Sequence, residues 1–219
     1  MDFAPLSRFI DRITAWRIPW AEVMVMHRNE TVFRYRNGFA DLERQTPAGE
    51  RQIINIYSMT KILTCTAALQ LVERGEMLLD DPIAAYLPEF AVMTVRKTRS
   101  DGTVAEERAE KPITVRDLFA MTAGFSYDLG APSIREAVRR TDGKLPTREL
   151  TRALAKEPLS FEPGTRWNYS LCHDVLAALV EAVDGRRFGV YVQEEITGPL
   201  GMRDTAFQLT GEQQQRLVP

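Results

Sequence analysis

A chain of 219 residues with 28 Lys and Arg against 30 Asp and Glu carries a formal charge of −2, and 44% of it is hydrophobic. That balance excludes disorder, and 13 Gly, 12 Pro and 2 Cys exclude a collagen-like chain and a disulfide scaffold. There is no basic excess for nucleic acid or an anionic membrane to bind, and the longest apolar run, Val175 to Val180, is far short of the roughly 18 residues a membrane span needs. Met1-Asp2-Phe3-Ala4-Pro5 lacks the charged and apolar regions of a secretory signal, and Cys65 and Cys172 read as reduced, buried thiols. Both features point to the cytoplasm; a periplasmic or secreted chain with its signal removed would read the same way.

Leu6, Phe9, Ile10 and Ile13 mark an amphipathic helix that ends before Pro19. Two strand-like runs, Ala21 to His27 and Thr31 to Phe39, flank Arg28-Asn29-Glu30 as a hairpin. A polar stretch, Asp41 to Gln52, leads to a short strand-like run, Ile53 to Tyr57. Ser58 to Arg74 reads as a helix stopped by Gly75, apolar nearly all round and so expected in a core. Leu79-Asp80-Asp81-Pro82 is a turn, and Ile83 to Leu87 a short element. Val92 to Thr98 and Thr103 to Glu110 form a charged hairpin around Ser100-Asp101-Gly102. Thr114 and Asp117 make a capping box for a helix running through Met121. Helices follow at Ser133 to Arg140, Thr147 to Lys156, Ser170 to Val183 and Gly189 to Ile196, with a turn at Pro163-Gly164. Strands come first and helices dominate the rest; since a lone two-stranded hairpin is not stable by itself, either further strands lie hidden in the later segments or strands are missing from this chain.

Much chemistry is absent. With only His27 and His173, no His-Glu-x-x-His zinc site exists, and neither phosphate-cradling glycine motif nor a Gly-x-Ser-x-Gly elbow is present. Both histidines read first as structural. A Ser-His-Asp triad could form only through His173, and nothing else points to one.

Ser58-Met59-Thr60-Lys61 is the sole Ser-x-x-Lys. Ser58 opens a helix, where the macrodipole favours a developing oxyanion, and a spacing of three brings Lys61 within its reach. Lys61 shares its side of the helix with Cys65, Ala68 and Val72. Desolvation there would lower its pKa and let a neutral amine accept the serine proton. The alternative is an N-cap serine and a lysine that snorkels outward, and these residues alone leave both readings open. In Trp167-Asn168-Tyr169-Ser170, Tyr169 stands at a loop-to-helix junction. A nearby lysine would make its phenolate a general base; otherwise it is an aromatic anchor, with Ser170 a helix cap.

Taken in order, Ile56-Tyr57-Ser58-Met59-Thr60-Lys61, Leu71-Val72-Glu73-Arg74-Gly75, Leu79-Asp80-Asp81-Pro82-Ile83, Tyr86-Leu87-Pro88, Ile113 to Leu118, Met121 to Phe125, Phe161 to Thr165, Trp167-x-Tyr169-Ser170 and Pro199 to Thr205 resemble the serine beta-lactamase-related superfamily. Within it they are most similar to class C beta-lactamases and family VIII carboxylesterases. The resemblance covers roughly residues 20 to 207. It implies an α+β, beta-lactamase/transpeptidase-like fold: residues 1–57 giving a helix and strands of the sheet, 58–207 a helical region carrying both motifs, and 208–219 a tail where the family continues. It implies an acyl-enzyme with Ser58 as nucleophile, Lys61 orienting it and sharing its proton, and Tyr169 as general base and then acid. The Ser58 N–H would be one oxyanion donor. It implies no metal or organic cofactor, and a small ester or amide as substrate.

Two departures qualify it. Class C enzymes carry Tyr-x-Asn, whose asparagine holds the lactam side-chain amide; Leu171 stands there and tilts the expectation toward a carboxylesterase. The alternatives are a beta-lactamase, a D-aminopeptidase-like amide hydrolase, an acyltransferase and a non-catalytic binder. The family's later Lys-Thr-Gly-like strand, which gives the second oxyanion donor, does not occur before Pro219. The expectation is therefore weak or no activity for the chain alone, and a complementing chain or oligomer to complete the sheet.

Overall fold

The computed structural model describes residues 1–218. They divide into two compact units, one formed by Met1–Tyr57 with the stretch from Ala206 onward, the other by Ser58–Thr205.

In the first unit, α1 (Ala4–Thr14) starts at a proline, where the missing N–H costs nothing, and buries Ile10. β1 (Trp20–His27) and β2 (Glu30–Asp41) pair antiparallel from Trp20↔Gly38 to His27↔Glu30. The turn residues Arg28 and Asn29 both have positive φ, 51° and 64°, the mirror-image turn that matches strand twist. Asp11 and Thr14 of α1 accept hydrogen bonds from the Asn37 amide at 3.0 Å each, and Phe3 stacks on Phe33 at 4.7 Å. β3 (Thr46–Pro47) adds a short third strand to β2 from within the stretch read only as polar. Ile53 to Tyr57 is not a strand. Ile53 alone makes a parallel bridge, to Leu217, because no neighbouring strand lies along the rest of the run. The stretch read as a tail contains a short helix, Gly211–Gln215, opened by a Thr210/Gln213 capping box.

The second unit is built around helices. α2 (Thr60–Glu73) packs against α6 (Cys172–Asp184), which also meets α3 (Val115–Ala120), α5 (Thr147–Leu154) and α7 (Phe188–Val192); α4 (Pro132–Arg140) packs on α5. α6 is the centre of the core: Val175, Leu176, Ala178, Leu179 and Val180 are fully buried, and each buried Val or Leu side chain contributes about 1.5–3 kcal/mol. Gly185 ends α6 in the left-handed conformation. The Thr114/Asp117 capping box forms as expected, but α3 stops at Ala120 because Met121 turns left-handed at φ 55°. β4 (Thr94–Thr98) and β5 (Val104–Arg108) form the charged hairpin, anchored by buried Val95 and by Arg96 and Leu159 backbone bonds of 2.8 Å. The last predicted helix divides into α7 and a wider turn, Gln193–Thr197.

One expectation fails in α2. Its apolar residues surround the axis, yet only Thr64, Ala67, Ala68 and Leu71 are buried; Ile62 is 70% exposed and Leu69 49%. Seven residues apart, these two share a side, and no element of the described unit covers it.

Candidate active site

Ser58 lies in a single 3-10 turn, Tyr57–Met59, that feeds α2. Tyr57 sits at φ 42°, a left-handed conformation that costs a non-glycine residue about 1–2 kcal/mol and turns the chain into the helix. Ser58 is not the helix cap: Met59 holds that position without a side-chain bond. The Ser58 hydroxyl instead forms a 2.7 Å hydrogen bond with the Tyr169 hydroxyl, 111 residues away, in which either can donate.

Tyr169 is held by two laced segments. The N–H groups of Gly164 and Asn168 donate to the carbonyls of Thr122 (2.9 Å) and Met121 (3.0 Å), and the Asn168 amide donates to Phe125 O at 3.1 Å. Ser160 N–H donates to Gly124 O at 2.8 Å. Gly124 is required there twice over: its φ is +91°, and a Cβ would stand 2.4 Å from the Phe161 carbonyl oxygen. Phe125 is buried and packs edge-on against Phe90 at 5.6 Å. The Tyr169 ring therefore emerges from a fixed backbone just ahead of α6.

Lys61 is half-buried, with its Nζ 5.0 Å from the centroid of the Tyr169 ring. The hydrogen bond from Ser58, then the Lys61 ammonium, hold the Tyr169 phenol below its ordinary range. Cys65 and Val72 on the Lys61 side are half-buried rather than buried, while Ala68 is fully enclosed.

His173 does not complete a serine triad. Its Nε2 lies 3.3 Å from the Phe119 carbonyl, and its ring nitrogens lie 3.7 and 3.9 Å from the Cys65 sulfur. Burial holds its pKa down. Burial also pushes the Asp174 carboxyl up, against the pull of the Lys61 cation. Ser170 is buried and donates to the Cys172 sulfur at 3.1 Å instead of capping α6. Leu171 is 3% exposed and belongs to the core. Two further residues escaped the sequence reading. Tyr127 packs on Tyr169 with ring centroids 5.3 Å apart, and Asn168 ties its loop down. Only the position of Asn168 inside the Trp-x-Tyr segment hinted at either. Among the described residues no group of three His, Cys, Asp or Glu is placed to hold a metal, and no helix is long and apolar enough to cross a membrane.

A family profile described as Beta-lactamase matches residues 6–218. The chain belongs to the beta-lactamase family. It is 36% identical over 209 residues to Esterase EstB of Burkholderia gladioli, covering 93% of this chain and 50% of that protein. The structure of EstCE1, described as a hydrolase with promiscuous acyltransferase activity, superposes with a TM-score of 0.80 at 27% identity, covering 99% of this chain and 55% of that one. Unliganded simvastatin synthase (LovD) from Aspergillus terreus gives 0.78 at 28%, covering all of this chain and 58% of that one. The beta-lactamase-like, α+β fold is thereby established, with a sheet that is not closed. The chain spans about half the length of these relatives.

Proposed function

We propose that the chain carries the nucleophile-bearing part of a serine acyl-transfer enzyme, acting on a small ester through an acyl-enzyme. The observation that carries the reading is the 2.7 Å bond between the Ser58 and Tyr169 hydroxyls with the Lys61 cation over the Tyr169 ring. Ser58 Oγ attacks the ester carbonyl carbon as its proton passes to the Tyr169 phenolate. The tetrahedral oxyanion forms near the Ser58 N–H at the start of α2, where unpaired amides and the helix dipole favour negative charge. Tyr169 returns the proton to the departing alkoxide, the C–O bond to the alcohol breaks, and the acyl group stays on Ser58. Water then enters, Tyr169 takes its proton, and the acid leaves as Ser58 is reprotonated. Lys61 keeps the phenolate accessible throughout.

Hydrolysis of esters is favoured over that of beta-lactams because Leu171 is buried and carries no amide to hold a lactam side chain. Acyl transfer to an alcohol is the second reading, supported by the descriptions of EstCE1 and of simvastatin synthase. The second oxyanion donor is assigned to a segment corresponding to the relatives' remaining length, in the same chain or supplied by a complementing one. Without that donor the rate falls on the order of 10²–10³. The test is covalent: a fluorophosphonate should add its mass to the Ser58 peptide of the folded chain, and Ser58→Ala should abolish the addition. A folded chain that stays unlabelled would make it a non-catalytic binder.

A further inference from the structure

We propose that Tyr127 forms the leaving-group wall of this site and selects esters of aromatic or bulky apolar alcohols. The inference rests on the acyl-enzyme reading above and adds to it a substrate class. In that reading the leaving oxygen must reach the Tyr169 hydroxyl to collect its proton, so the alcohol portion of the ester lies beside Tyr169. The ring that borders Tyr169 is Tyr127, 5.3 Å away and tilted by 57°. Lys61 occupies a position over the Tyr169 ring itself, and Ser58 occupies its hydroxyl. Tyr127 is thus the aromatic ring that adjoins Tyr169 away from Lys61 and Ser58, and an alcohol brought to the Tyr169 hydroxyl can lie against it.

Tyr127 has the properties such a wall requires. Its side chain is 49% exposed, so it offers a ring face to a ligand rather than to the core. Its backbone is not free to drift. Two residues earlier, Phe125 is buried against Phe90 and its carbonyl is held by Asn168, and Gly124 is locked against Phe161. One residue later, Asp128 closes a turn by accepting from Gly130 N–H at 2.8 Å. Among the described residues the Tyr127 hydroxyl has no hydrogen-bond partner, so the ring is not anchored for a structural purpose at its outer end. A rigidly presented, half-exposed aromatic ring beside a proton-donating phenol suits an aryl leaving group, which stacks or meets it edge-on.

The test compares two esters of one acid, so that the acyl-enzyme is common to both. Ser58 acetylation of the chain by phenyl acetate and by ethyl acetate is followed by intact mass in quenched samples, for the parent, Tyr127→Ala and Tyr127→Phe. Tyr127→Ala should slow acetylation by phenyl acetate about tenfold and that by ethyl acetate less than about twofold. Tyr127→Phe should retain the parent's preference. Hydrolysis of preformed acetyl-Ser58, which holds no alcohol, should be unchanged in both variants. Equal losses with the two esters, or slower deacetylation in Tyr127→Ala, would assign Tyr127 to positioning Tyr169 and overturn the wall. An unchanged preference in Tyr127→Ala would overturn it as well. If a fluorophosphonate labels Ser58 in the folded parent but neither ester acetylates it, the wall is overturned; if the fluorophosphonate does not label it either, the acyl-enzyme reading fails, and the wall with it.

Discussion

Replacing Tyr169 with Phe removes one oxygen and keeps the ring. The ring's packing on Tyr127 and its place under Lys61 survive; what disappears is the 2.7 Å bond to Ser58. Tyr169 is 36% exposed and Ser58 is exposed too, so the lost bond is largely replaced by water. The stability cost should stay below about 1 kcal/mol, a Tm change of under about 4 °C for a chain of this size. The chemical cost is of another order. General base catalysis contributes about 10²–10⁴ in rate, or roughly 3–5 kcal/mol of barrier. Pseudo-first-order labelling of Ser58 by a fluorophosphonate, read by intact mass alongside a melting curve, separates the two effects. The expected result is labelling slowed at least about 100-fold with a nearly unchanged Tm. Labelling at the parent rate in a folded Tyr169→Phe chain would refute Tyr169 as the base, while a collapse of the Tm would make its hydroxyl structural.

In the proposed mechanism the base works as phenolate, and the Ser58 hydrogen bond and Lys61 hold the Tyr169 phenol below its ordinary range. Ser58 acylation should therefore rise with pH and level off above the phenol's depressed value. Lys61→Met removes the cation, makes the phenolate costlier and should move the rise to higher pH; a pH profile of labelling that does not shift would detach Lys61 from Tyr169. Leu171→Asn places an amide at a position that is 3% exposed and packed in the core. It should destabilise the chain by about 2–4 kcal/mol in urea unfolding without creating nitrocefin hydrolysis, whereas a gain of lactam turnover at full stability would show that residue 171 reaches the substrate.

What could be read in the sequence was what is encoded locally. The Ser58-to-Lys61 spacing, the Thr114/Asp117 capping box and the Gly185 stop each depend on a few adjacent residues, and each has a local physical cause, whereas α2 starts two residues later than Ser58. Contacts between distant segments were less accessible. Tyr127 carries no local signal, because its contact with Tyr169 exists only once folding brings two loops together. The burial of α2 is hidden in the sequence for a related reason. A helix apolar on every side announces that it can be covered anywhere, and not which side is covered, so Ile62 and Leu69 could not be told from Ala67 and Leu71. The Ile53 to Tyr57 run has strand-like composition, but a strand also needs a neighbour along its length, and among the described residues Ile53 alone finds one, bonded to Arg216 and Val218 on either side of Leu217.

The position of the site follows from how two helices meet. Ser58 stands two residues ahead of α2 and Tyr169 three residues ahead of α6, and these helices pack directly on one another. Alanines on the contacting helices, Ala67 and Ala68 of α2 and Ala177 and Ala178 of α6, keep the buried side chains small. The 2.7 Å bond then requires the two N-terminal ends to converge. Each end presents unpaired amides and the positive pole of its macrodipole. The phenolate and the oxyanion of the proposed mechanism would both be favoured there, with Lys61 adding a full positive charge beside the Tyr169 ring. The half-buried Asp174 in the first turn of α6 limits that excess, since its carboxylate lies within the field of Lys61 and opposes the phenolate. In the proposed reaction this arrangement would lower the energy of an anion at Ser58 and Tyr169 through fixed dipoles that need no rearrangement.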